Sequence, residues 1–146
     1  MRIKVKRANC TGCRLCLQIC AIENYEDINP RKAALRIEAK FPDPGHYRPF
    51  VCTQCGKCAE ACPKGAILRN DIGAYIVDGA LCDNCGACLP ACPVGVVFQH
   101  PDLPRVIICT FCMKCTELCN TGAITKWEKA PASAGADADA GPEVEV

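Results

Sequence analysis

Cys82-Asp83-Asn84-Cys85-Gly86-Ala87-Cys88-Leu89-Pro90-Ala91-Cys92-Pro93 carries four cysteines at the spacing C-x2-C-x2-C-x3-C, closed by a proline. The spacing recurs as Cys10-Cys13-Cys16-Cys20 (run one), Cys52-Cys55-Cys58-Cys62 (run two) and Cys109-Cys112-Cys115-Cys119 (run four). The sixteen cysteines of this 146-residue chain are used up by the four runs. Two-residue gaps let three soft thiolates wrap one corner of a cubane 4Fe–4S cluster. The fourth cysteine, after a longer gap, sits on the next turn and reaches a neighbouring cluster. Four runs predict four clusters, held in pairs that exchange their last ligands.

The intervals between runs indicate the pairs. Nineteen residues separate runs two and three, against 31 between one and two and 16 between three and four. Pro63 and Pro93 follow the last cysteines of runs two and three, whereas runs one and four have Ala21 and Asn120 there. A nested arrangement follows, with two pairing three and one pairing four. The expected sites are Cys52, Cys55, Cys58 and Cys92; Cys82, Cys85, Cys88 and Cys62; Cys10, Cys13, Cys16 and Cys119; and Cys109, Cys112, Cys115 and Cys20. Pairing one with two and three with four is the alternative, and the 31-residue interval is its weakness.

Four all-cysteine zinc sites would also use sixteen thiolates, but zinc ribbons take two separated C-x2-C knuckles per ion. A disulfide scaffold belongs to secreted proteins, and Met1 to Arg7 alternates basic and apolar residues without a signal-peptide run. No stretch has the length of a membrane span. A soluble, cytoplasmic protein is expected, in a compartment that keeps thiols reduced. Half the residues are hydrophobic by a count that includes every cysteine, and 5% are aromatic. That is thin for an ordinary core, so metal binding and folding should be coupled. The formal charge is +1. Four thiolates around an oxidised cubane core leave about −2 per site, which carries the loaded chain to about −7. No basic stripe interleaved with aromatics points to nucleic acid.

Residues 1–127 read as one α+β unit of low regular secondary structure: metal-wrapped loops, short strands and single helical turns such as Ala59-Glu60-Ala61. Pro49-Phe50-Val51, Gly79-Ala80-Leu81 and Arg105-Val106-Ile107-Ile108 lead into runs two, three and four as extended pieces. Gly65-Ala66-Ile67, Gly95-Val96-Val97 and Gly122-Ala123-Ile124 leave them as strands after a glycine turn. Residues 21–51 form an insert, with a turn at Asn29-Pro30 and a half-buried strand over Leu35–Phe41. Pro42, Pro44, Gly45 and Pro49 then read as loop. Gly73–Gly79 is one arm of a hairpin, and Trp127 is expected to pack on the fold. Residues 128–146 form an Ala, Pro, Gly and acid tail with five acidic residues and one lysine. Such a segment is expected to be disordered alone, and it reads as a docking element.

Gly73 to Gly95 resembles the second half of a two-cluster bacterial ferredoxin. Residues 1–127, with Asn29-Pro30, a basic strand and then run two, resemble the four-cluster electron-transfer subunits of dimethyl sulfoxide reductase, formate dehydrogenase and formate hydrogenlyase systems. The compact length resembles the small iron–sulfur subunit that accompanies tungsten-dependent aldehyde oxidoreductases. The resemblance implies a tandem ferredoxin-like fold with nested pairing. It also implies a non-catalytic electron-transfer subunit in anaerobic metabolism. The partners so implied are a catalytic subunit with a tungsten or molybdenum pterin, or nickel, and a flavin or NAD subunit as acceptor. A free polyferredoxin shuttling between enzymes is the alternative. A catalytic or sensory role is disfavoured, since each run is complete and no P-loop is present. Self-association is open.

Arg14, Lys57 and Lys114 lie beside the third cysteines of runs one, two and four, where a cation would favour the reduced cluster. Tyr75 is a candidate to pack over a cluster. His46 and His100 read as surface histidines.

Overall fold

A computed structural model describes residues 2–43 and 45–127; the tail 128–146 lies outside the described residues. The backbone follows the four cysteine loops. In each loop the third and fifth residues, counted from the first cysteine, take positive φ. They are Gly12 and Arg14 (72° and 60°), Gln54 and Gly56 (57° and 83°), Asn84 and Gly86 (59° and 79°), and Phe111 and Met113 (62° and 63°). Five of these eight are not glycine, and side chains such as Phe111 and Met113 cost of order 1–3 kcal/mol each in this region. So regular a cost, repeated four times, marks loops shaped for something other than their own stability.

A short helix follows each loop: α1 (Leu15–Tyr25), α2 (Lys57–Glu60), α3 (Cys88–Ala91) and α4 (Lys114–Leu118). After runs two, three and four the chain turns at Gly65, Gly95 and Gly122 with φ of 59°, 68° and 68°. Each glycine N–H donates to the carbonyl of the run's last cysteine, at 3.1–3.2 Å. Pro63 and Pro93 enforce the stop in runs two and three, because proline cannot continue a helix. Run one has Ala21 there instead, and α1 runs through eleven residues to Tyr25. The expected single helical turn is corrected on this point: the insert opens as a continuation of the helix, ahead of the Asn29-Pro30 turn.

The strands form three antiparallel ribbons. β1 (Arg2–Val5) pairs with β6 (Ile124–Trp127), with Arg2 opposite Trp127 and Val5 opposite Ile124. β2 (Arg36–Ala39) pairs with β3 (Tyr47–Phe50), and β4 (Ile67–Arg69) pairs with β5 (Tyr75–Val77). Pro49 belongs to β3, opposite Ile37, rather than to a loop. Both strands of a two-stranded ribbon are edges, where a missing N–H is tolerated. Leu35 and Ile37 are buried as their alternation implies, but Phe41 lies beyond β2 and is 86% exposed. Gly79–Leu81 is a turn, not an extended piece: Asp78 accepts from Ala80 N at 2.8 Å through its side chain. Trp127 is 42% exposed; its backbone, opposite Arg2, takes it into the ribbon while the ring stays at the surface.

The insert is anchored to residues 100–102. Lys32, buried, pairs with Asp27 and, at 3.4 Å, with Asp102. His100 is buried too, against the surface position expected for it. Its Nε2 meets Asn29 Nδ2 at 3.3 Å, and its Nδ1 accepts from Asp102 N at 3.2 Å.

α1 packs against α4, and α2 against α3. Leu17, Leu35, Ile37, Val51, Ile107 and Ile124 form one core with Cys16, Cys20 and Cys115. Ile67, Val97, Val106 and Ile108 form a second with Cys88. A third, small cluster sets Ala74, next to β5, against Phe111 and Met113 of the run-four loop. Gln54 ties the halves further, donating to Cys109 O at 3.0 Å and accepting from Tyr75 N at 2.9 Å. The largest side chains under 2% exposed are Ile107, Ile124 and Val96. At about 1.5–3 kcal/mol per buried aliphatic side chain, against about 1–2 kcal/mol of backbone entropy for every ordered residue, apolar burial does not hold this fold alone. Stripping iron with a chelator under anaerobic conditions is expected to abolish most of the far-ultraviolet circular dichroism; retention of the loaded spectrum by the apo chain would contradict the coupling.

Candidate metal centres

Four cavities of about 280 to 410 Å³, partly open to solvent, lie at the four loops. The run-two cavity is walled by Cys52, Cys55, Cys58 and Cys92, and the run-three cavity by Cys82, Cys85, Cys88 and Cys62. The run-one cavity is walled by Cys10, Cys13, Cys16 and Cys119, and the run-four cavity by Cys109, Cys112, Cys115 and Cys20. Each takes three cysteines from one run and the last from another. Cys109 also reaches the wall of the run-two cavity, and Cys52 that of the run-four cavity. These two cavities are therefore neighbours across the middle of the molecule.

The thiols ring spaces rather than converge on a point. Among the described residues no three or more His, Cys, Asp or Glu side chains gather as ligands of one metal ion. A zinc ion would draw its sulfurs in to about 2.3 Å; a cubane cluster needs four thiols spread around a larger body. Turns of reversed hand also present N–H groups as a concavity suited to anionic Fe–S centres. Donor chemistry, spacing and loop backbone fit 4Fe–4S clusters.

Electrostatics point the same way. Burial pushes Cys16 and Cys115 up to about 12, with neighbouring cysteines adding to the rise. Burial raises Cys52 and Cys88 to about 11 in the same manner. It raises Cys20, Cys58 and Cys109 as well. Without a metal these thiols stay protonated at neutral pH, and a cationic core is what turns them into thiolate ligands. Cys119 departs from the group. Burial acts to raise it, but hydrogen bonds from Thr121, Ile124 and Ala123 bring it below the usual thiol value.

Sulfur acceptors are supplied locally. Cys20 Sγ accepts from Ala34 N at 3.3 Å, Cys62 Sγ from Ala66 N at 3.3 Å and Cys119 Sγ from Ile124 N at 3.4 Å. Cys52 Sγ accepts from Gln54 N at 3.4 Å. For Cys62 and Cys119 the donor lies just past the glycine turn, so the turn that ends each helix also aims an N–H at the sulfur.

Of the residues expected to tune the clusters, Arg14 lines the run-one cavity and Tyr75 the run-two cavity. Lys57 and Lys114 line neither; Lys57 is exposed and Lys114 pairs with Glu117 at 3.4 Å. Sequence reading missed Tyr47. A Cβ on Gly12 would lie 2.5 Å from the Tyr47 ring, and one on Gly56 would lie 2.5 Å from Tyr75 Oη. Each half thus has a tyrosine laid on a cysteine loop. The only advance signal was glycine inside the loop, which marks a close approach.

Residues 51–97 and residues 9–66 each match a family described as a 4Fe–4S dicluster domain. Loops and matches define the class: a chain built on 4Fe–4S dicluster domains with ferredoxin-like cysteine loops. Within that class the chain is similar to the polyferredoxin-like subunit of aliphatic sulfonate oxidoreductase from Pyrococcus furiosus, with 37% identity over 117 residues. The match covers 76% of this chain and 66% of that protein, just under two thirds of the relative's own length. Among solved structures it is similar to a chain of the active-site complex BamBC of benzoyl coenzyme A reductase. In the zinc complex the identity is 24% and the TM-score 0.48, covering 89% of this chain and 81% of that one. In the complex as isolated the values are 22%, 0.47, 84% and 74%.

Gly56→Ala tests the loop geometry. A left-handed residue costs about 1–2 kcal/mol once it carries a Cβ, and the new methyl must displace the Tyr75 ring. The variant is expected to lose the iron of one cluster selectively, read by iron analysis and by loss of one electron paramagnetic resonance (EPR) signal.

Proposed function

We propose that the chain is a wire of four 4Fe–4S clusters that relays electrons between a catalytic subunit and an acceptor in an oxidoreductase complex. The observation that carries this reading is the set of four cavities, each walled by three cysteines of one run and the last of another. Residues 1–127 act as a double ferredoxin-like unit, runs two and three in one half and runs one and four in the other. The ligand sets are the four quartets that wall the cavities. When bound, the clusters supply one-electron exchange between the 2+ and 1+ states by outer-sphere transfer.

The chain's own residues space, tune and insulate the sites. The order of sites is run one, run four, run two, run three, supported by the cavity walls shared through Cys52 and Cys109. N–H donors to sulfur offset negative charge on the reduced centres. Val96, Val97 and Ile108 keep water from the run-two site. Arg14, Lys57 and Lys114 act on potentials through their charge, and Tyr75 shields the run-two site.

The run-one and run-three sites stand at the ends, where two partners dock. One partner is a catalytic subunit with a tungsten or molybdenum pterin, of aldehyde oxidoreductase type; nickel is the other metal in view. A flavin or NAD subunit is the acceptor. The relative's name supports a second reading of the substrate, an aliphatic sulfonate. Among the described residues no helix is long and apolar enough to cross a membrane. We place the complex in the cytoplasm, on the number of thiols that must stay reduced.

Two experiments test the reading. Cys62→Ser should damage the run-three cluster and spare that of run two in cluster-resolved EPR; loss of the run-two signal refutes exchanged ligation. Anaerobic pull-down with native partners should yield about sixteen iron and sixteen sulfide per chain together with tungsten, molybdenum or nickel. The same iron with no partner and no second metal makes the protein a free polyferredoxin. Aldehyde and sulfonate oxidation by the captured complex separates the two substrate readings.

A further inference from the structure

Asn24 lies on α1 one turn past Cys20, in the stretch of helix that stands where runs two, three and four have a glycine turn. Its amide is locked at three points. Nδ2 donates to Cys20 O at 2.8 Å and to Cys20 Sγ at 3.7 Å, and Oδ1 accepts the Thr110 hydroxyl at 2.8 Å. Thr110 belongs to the run-four loop, immediately after Cys109. A flipped amide would turn its oxygen toward a carbonyl and a sulfur, both acceptors, and would face the Thr110 hydroxyl with a donor. The side chain therefore has one good orientation, and in it an N–H is aimed at sulfur. Ala34 N reaches the same sulfur at 3.3 Å. Asn24 and Thr110 both line the run-four cavity.

The geometry points to Asn24 as the residue that raises the reduction potential of the cluster site walled by Cys109, Cys112, Cys115 and Cys20, with Thr110 as its positioning residue. This rests on the proposed exchanged ligation, in which Cys20 serves the run-four site. A hydrogen bond to a ligating sulfur stabilises the added electron more than the oxidised state, and such bonds are one of the levers on iron–sulfur potentials. The amide of Asn24 is neutral, so it does this without a surface charge that salt would screen. Its place in the wire is internal, next to the crossing between halves. An electron arriving there is held more readily than it would be at a site with the backbone donor alone.

The test is a redox titration of the loaded protein, each cluster followed by its own EPR signal. Asn24→Asp keeps the acceptor for Thr110 and the size of the side chain but removes both donors. It should lower one midpoint by a factor of at least ten in the reduction equilibrium, about 59 mV for a one-electron couple. Asn24→Leu should shift the same signal in the same direction by less, as no charge is added. Thr110→Val should shift it least, with iron content unchanged. Four unmoved midpoints in a fully loaded Asn24→Leu protein overturn the proposal, and so does an equal shift in all four. Cys20→Ser reports the ligation independently. If it removes the signal that Asn24→Leu moves, and that signal is not the run-four one, exchanged ligation falls while the role of Asn24 toward Cys20 stands. If it removes the run-four signal while Asn24→Leu moves a different one, ligation stands and the Asn24 proposal falls.

Discussion

Four cysteine sulfurs facing one small space cannot all be charged unless something positive sits among them. That constraint underlies the rest of the molecule. Burial, with neighbouring cysteines adding to it, takes Cys16 and Cys115 to about 12, so these thiols become ligands only when a cationic core binds. The loops reverse hand twice each, at a conformational cost that Phe111 and Met113 show most plainly. The hydrophobic clusters are small and built partly from the ligands themselves. Each of these would be a weakness in a protein that folded on its own. Together they describe a chain whose folding energy comes largely from what it binds.

The cysteine spacing made loops, helical turns and glycine exits legible, because each reflects a local steric demand. Pro63 and Pro93 stop helices in any context. Gly65, Gly95 and Gly122 supply a backbone conformation that few other residues adopt easily. What could not be read depended on partners distant in sequence. The length of α1 followed from an absence, no proline after Cys20, and from packing against α4. His100 is held by Asn29, 71 positions earlier, so nothing near it in sequence marked it as buried. Nothing in the spacing singles out Gln54, whose side chain spans the two halves. Trp127 was expected to pack because large aromatics usually do; strand pairing decided otherwise. Among the site residues the cysteines were the legible part. The tyrosines and amides that frame them were not, since they are conferred by tertiary approach rather than by spacing.

The two halves solve one geometric problem with different materials. In the run-two and run-three half, prolines and glycines end each helix at the last cysteine. In the other half α1 continues, and polar side chains from it and from the run-four loop take over the contacts around sulfur. Tyr47 and Tyr75 occupy comparable positions over the loops of runs one and two, which keeps solvent from one face in each half. The Gln54 bridge and the contact of Ala74 with Phe111 and Met113 are among the contacts that join the halves.

The β1–β6 ribbon joins residues near the first and last described positions, Arg2 opposite Trp127. During synthesis β1 leaves the ribosome long before β6 exists, so the half containing runs one and four cannot close until translation has passed residue 127. Runs two and three are contiguous, and the residues that wall their cavities are complete once residue 109 has emerged. The cavities of runs two and three are therefore assembled from a shorter stretch of chain than those of runs one and four. Domains form as units in the order in which their parts appear, and here the middle of the sequence can close before the segments that flank it.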